Sequence, residues 1–130
     1  MTEQGTVIFY HGTDLDSLLS ILNEGLQVDK LRHLQSMREV QSGAGWYVTD
    51  DIRAAWYFAT IAYGNTYKGS AVVELELFIE HFELLVEQGL VKKSKIVNVH
   101  FDADQYLFDL QAFEFLNQHA AFRPYEPPEE

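Results

Sequence analysis

Apolar and polar residues change period along the chain, and the changes mark out its elements. Val7, Ile8, Phe9 and Tyr10 follow Gly5 as a short β-prone run, the pattern of a buried strand. Leu15, Leu18, Leu19 and Leu22 then recur at spacings of three and four, which predicts a helix. Thr13 or Asp14 is placed to cap it, and Gly25 stands where a C′ glycine would. Residues 27–42 have weak periodicity and read as a loop or an irregular helix. Trp46, Tyr47 and Val48 predict a short strand, and Thr49 caps a helix with Ile52, Ala55, Ala59 and Ala62 inward, ending at Gly64. Asp50 and Asp51 sit well against the dipole of that helix. AVVELELFIE alternates, with Val73, Leu75, Leu77 and Ile79 on one face and Glu74, Glu76 and Glu80 on the other. A short helix is expected around Phe82–Gln88, stopping at Gly89. KIVNVHF and DQYLFD read as further strands, and Leu110, Phe113 and Leu116 as the inner face of a last helix.

Strands in succession, without strict βαβ alternation, predict an α+β domain. All three prolines fall at Pro124, Pro127 and Pro128, so RPYEPPEE reads as an exposed tail. The expected division is a domain over 1–122 and a tail over 123–130.

Composition narrows the class. The chain has 130 residues, the size of one domain, with 47% apolar residues, enough for a core. There is no cysteine, so there is no disulfide, thiolate metal site or cysteine nucleophile. The net charge of −11 argues against wrapping nucleic acid through its phosphates, which takes a basic stripe. The first residues lack a basic and apolar leader, and no long apolar run is present, so the expectation is a cytoplasmic protein outside the membrane.

Three segments carry candidate chemistry. Tyr10-His11-Gly12-Thr13 is expected where a strand ends and a helix begins; the glycine lets a ligand approach the backbone beside an imidazole. The plain alternative is a capped structural histidine. Gly43-Ala44-Gly45-Trp46-Tyr47-Val48-Thr49-Asp50 precedes a helix with Trp56, Tyr57 and Phe58. Most of these rings suit a core, Trp46 and Phe58 among them, yet Tyr47 and Tyr57 are placed to face each other as a slot for one flat aromatic ring. The third segment is Asp102-Ala103-Asp104-Gln105-Tyr106-Leu107-Phe108-Asp109, a polar cluster whose plain reading is a turn with solvated acids.

The order FYHGT, a leucine-rich helix ending in EGL, GxGWYVTDD…AAWYF and then GSAVVELEL resembles the ADP-ribosyltransferase fold. It is most similar to the diphtheria-toxin and poly(ADP-ribose) polymerase branch, with its His–Tyr–Glu signature, over about Phe9 to Phe115. The resemblance implies two small packed β-sheets with flanking helices. It also implies NAD as co-substrate and no metal. His11 would hydrogen-bond the adenosine-side ribose. Gly12 would hold the nicotinamide amide through its backbone, with Thr13 beside it. Tyr47 and Tyr57 would stack on the two faces of nicotinamide. Arg32 or Arg38 would reach the pyrophosphate, unless they are solvated loop charges.

Where the family places its catalytic glutamate, this chain matches best with Gln105. Three arrangements stay open: Gln105 itself, Asp104 one residue away on the opposite strand face, or an acid from elsewhere such as Glu74 or Glu76. The implied activity is a mono-ADP-ribosyltransferase, a glycosyltransferase that cleaves the bond to nicotinamide, with NAD glycohydrolysis as its water-dependent form. The acceptor is a protein or small molecule of unspecified kind. The alternatives are a non-catalytic NAD-binding or protein-binding module and, remotely, a tRNA 2′-phosphotransferase-like enzyme. For the last, the basic residues Lys30, Arg32, Arg38, Lys92, Lys93 and Lys95 are few.

Overall fold

The structure is a computed structural model, which describes residues 5–26, 45–61, 69–97 and 102–125. The elements in chain order are β1 (Thr6–Asp14), α1 (Leu15–Glu24), β2 (Trp46–Thr49), α2 (Ile52–Ile61), β3 (Ser70–Phe78) and α3 (Ile79–Glu87). They continue with β4 (Val91–Val97), β5 (Asp102–Phe108), a 3₁₀ turn (Leu110–Ala112), α4 (Phe113–His119) and β6 (Ala121–Tyr125). The expected α+β class holds.

Local chemistry sets most boundaries. The Asp14 carboxylate accepts from the Ser17 N–H at 2.7 Å and opens α1. Gly25, at φ 78°, closes it by donating its N–H to Ile21 O at 2.8 Å. Strand β1 runs further than its apolar signal, through His11 and Gly12 to Asp14. Those residues therefore lie inside a strand, because β3 offers a partner to each of them, Val73 to His11 and Val72 to Gly12. Likewise α3 begins at Ile79, earlier than the sequence pattern indicates, and β4 begins at Val91. The segments 27–44 and 62–68 lie outside the described residues, so the predicted end of α2 at Gly64 does too.

All six strands form one antiparallel sheet in the order β4-β5-β2-β1-β3-β6. Two separate sheets were the expectation. A single residue pair, Tyr10 opposite Thr49, joins β1 to β2 among the described residues and makes the two halves continuous. The start of the expected exposed tail is exposed, yet it is part of the sheet. Arg123, Pro124 and Tyr125 belong to β6 and pair with β3. Proline is tolerated there because β6 is an edge strand and needs no donor on its outer side.

The main core lies on one face of the sheet. Phe9, Trp46, Val48, Val73, Leu75, Leu77 and Phe108 pack there against Leu18 of α1, Leu85 of α3 and Phe113 and Leu116 of α4. Helix α2 covers the other face through Ala55, Trp56 and Ala59 against Val72. No helix among the described residues is long and apolar enough to cross a membrane.

Candidate functional site

Strand pairing assembles the site. One transverse row crosses the sheet on the α2 face: Ser94, Gln105, Thr49, Tyr10, Glu74 and Arg123, each opposite the next. Neighbouring strands lie about 4.8 Å apart, so Gln105 reaches to within two strands of Tyr10, about 10 Å. Residues 10, 49 and 105 thus become neighbours.

Beyond the Tyr10–Thr49 pair, β1 and β2 part. A side-chain bond takes the place of further rungs: the His11 Nδ1–H donates to Tyr47 O at 2.5 Å. That bond assigns the proton of a neutral ring to Nδ1 and leaves Nε2 as the acceptor nitrogen. The imidazole also lies against the Trp46 indole, with centroids 4.6 Å apart and planes at 35°.

A narrow cleft opens at this seam. Its lining includes His11, Gly12, Tyr47, Thr49, Phe58 and Gln105, and its cavity volume is about 20 Å³. A small-molecule site usually encloses roughly 300–1,000 Å³. The cleft is therefore too small for a nicotinamide-sized ring unless its walls part.

Two residues brace it. Thr49 is buried; its hydroxyl donates to Asp104 O at 2.9 Å and accepts from the Asp51 N–H at 3.2 Å. It ties β5, next to Gln105, to the start of α2. Gly12 lies directly under α2: a Cβ on it would stand 2.1 Å from Ala55 O and 2.8 Å from Ala59 N. Burial, with Glu74 and Tyr125 nearby, holds the Tyr10 phenol above its usual pKa, so it stays a neutral donor.

The sequence candidates divide. His11, Gly12, Tyr47 and Gln105 share the cleft. Tyr57 does not line it; that ring packs with Ala54 and Ala103, and Phe58 takes the wall instead. Helical spacing explains the exchange, because Phe58 is three residues from Ala55 on the inner stripe, as Tyr57 is from Ala54. Thr13 is not part of the lining either. Asp104 does not line the cleft; it lies in an adjoining open groove of about 390 Å³ with Asp50, Asp51, Ile52, Lys95, Ala103 and Tyr10, which lines both. Its carboxylate is 3.4 Å from Lys93 Nζ.

Glu74 and Glu76 are held by Arg123, at 2.6 and 2.5 Å, and do not line the cleft. Arg32 and Arg38 lie outside the described residues. Thr49 and Phe58 are among the members that the sequence did not mark as site residues, with Val48 and Ala55 beside them. The inner stripe of α2 was a usable signal for Phe58; Thr49 had only its capping position.

Comparison with known proteins finds no matching family model, no similar curated protein and no similar solved structure.

Proposed function

We propose that the protein is an NAD-dependent mono-ADP-ribosyltransferase built on an ADP-ribosyltransferase-like domain. The observation that carries the reading is the convergence of His11, Gly12, Tyr47 and Gln105, distant in sequence, on one cleft. Each has a chemical use there. His11 Nε2 accepts from a ribose hydroxyl. The Gly12 backbone approaches the carboxamide. Tyr47 stacks on the nicotinamide ring, with Phe58 opposite it.

One ladder pair joins β1 to β2 among the described residues, so few backbone hydrogen bonds oppose a parting of the cleft walls. In the reaction, the glycosidic bond from the ribose anomeric carbon to the nicotinamide nitrogen breaks. Its electron pair leaves with nicotinamide. An acceptor nucleophile, or water, then bonds to that carbon and loses its proton. The Gln105 amide holds the ribose 2′-hydroxyl but supplies no negative charge to the cationic transition state. A missing preorganised contact of this kind costs about 10²–10³-fold in rate. Slow, single-unit transfer is the expected outcome.

Labelled NAD, incubated with a cell lysate, tests the reading. Label transfer or nicotinamide release that His11→Ala abolishes is expected. Neither signal above the His11→Ala control would refute it.

The neutral amide of Gln105 also favours a second reading, a non-catalytic NAD-binding module. It predicts that NAD raises the melting temperature without turnover. No shift with NAD would leave a protein-binding role on the same fold.

A further inference from the structure

We propose that Trp46 is the positioning residue of His11, holding in one ring plane the imidazole whose tautomer Tyr47 O selects, so that Nε2 is presented in a single direction. The inference rests on the NAD-site reading for its functional consequence, though not for its geometry.

Consecutive residues of β2 grip the ring in two ways. The indole of Trp46 lies against the imidazole at 4.6 Å and 35°, which fixes the ring plane. The next carbonyl, Tyr47 O, takes the Nδ1–H at 2.5 Å, which fixes the tautomer. Neither grip is sufficient alone. A hydrogen bond to one carbonyl lets the ring swing about that bond, and a ring contact does not choose between the two nitrogens. Together they leave Nε2 as acceptor in one direction.

Trp46 is itself immobilised. It is completely buried, and Phe122 of β6 packs edge-on against it at 5.9 Å and 64°. The edge strand of one half-sheet therefore backs a ring of the other half, on the far side of the seam. The choice of indole also has a local cost: its Nε1–H is buried with no hydrogen-bond partner among the described residues. A phenyl ring would fill much of the space without an orphaned donor. The indole adds a broader and more electron-rich face under the imidazole.

The test separates the geometry from the NAD reading. Nitrogen-15 NMR of histidine-labelled protein, without NAD, reports which ring nitrogen of His11 is protonated. Its proton shifts report the indole ring current. Wild type is expected to show the Nδ1–H tautomer with His11 ring protons shifted upfield. Random-coil ring shifts, or an Nε2–H tautomer, overturn the proposal.

Trp46→Leu should keep the Nδ1–H tautomer, which Tyr47 O selects, but lose the nuclear Overhauser contacts that hold the His11 ring plane against β2, and Trp46→Phe should restore those contacts with a reduced ring-current shift. Unchanged ring contacts in Trp46→Leu, showing the imidazole held in place without the indole, overturn the proposal. If Trp46→Leu does not fold, the wild-type shifts and their reduction in Trp46→Phe decide it. In the NAD assay, Trp46→Leu should raise KM about 2- to 10-fold, the scale of one hydrogen bond, with kcat little changed. Recovery of KM in Trp46→Phe sets this apart from general loosening of the core. If wild type has no turnover, the NAD reading fails and the NMR result still decides the role of Trp46.

Discussion

Strand β1 has two very different borders. Against β3 it is zipped along its whole length, from Thr6 opposite Phe78 to Asp14 opposite Ser70. Against β2 it keeps the one pair Tyr10–Thr49 among the described residues, and a histidine side chain continues the connection. The closed border binds its half of the sheet and carries Val73, Leu75 and Leu77 into the core. The open border leaves backbone and side chains facing a cleft. A sheet that must hold together and also admit a ligand can divide those tasks between the two sides of one strand.

Changing the open border chemically should have the largest effect. Gln105→Glu puts a charge where the proposed transition state needs one, and nicotinamide release should rise about 10²–10³-fold. Unchanged release in a variant that still binds NAD would remove Gln105 from the site. Blocking the same border sterically comes next. Gly12→Ala drives a methyl group into the backbone of α2, which cannot move aside like a side chain. A loss of about 3 kcal/mol by denaturant unfolding is expected. Full stability would show that α2 docks elsewhere.

Thr49→Val keeps the shape but removes the bond to Asp104 O, for about 1–3 kcal/mol. The loss should appear as faster amide exchange at the start of β5, with the β1–β3 amides unaffected. The smallest effect belongs to the closed border. Thr6 and Arg123 hold the Glu76 carboxyl below its usual pKa, so its contribution is present above the ordinary carboxylate value and is lost as the pH falls through the folded one. Melting temperatures of wild type and Glu76→Gln should differ at neutral pH and converge as the pH falls below the usual carboxylate range. A difference that persists in acid would mean that the charge is not its source.

Much of this was legible in the residues. Period-two alternation in VVELEL and the three–four spacing in α1 gave element types, since burying one face imposes those periods. The capping role of Asp14 and the stop at Gly25 follow from unsatisfied groups at helix ends. The extent of β1 was not legible, because His11, Gly12 and Thr13 are strand residues only through their partners on β3. Tyr125 and Arg123 looked like tail for the same reason: an edge strand with proline has no local signal, and β3 supplies its order.

The sequence by itself determined the α+β class, the faces of the strands and helices and the identity of the polar groups, His11, Tyr47 and Gln105, available for chemistry. These depend on local periodicity and residue type. The tertiary structure decided which of them meet. It set Phe58 in place of Tyr57 at the cleft wall, put Asp104 in a neighbouring groove that shares Tyr10 with the cleft and tied Glu74 and Glu76 to Arg123. It also left the seam between β1 and β2 joined by one pair among the described residues. Register and helix docking are long-range choices, and a one-residue step in either turns a side chain from the cleft to the other side.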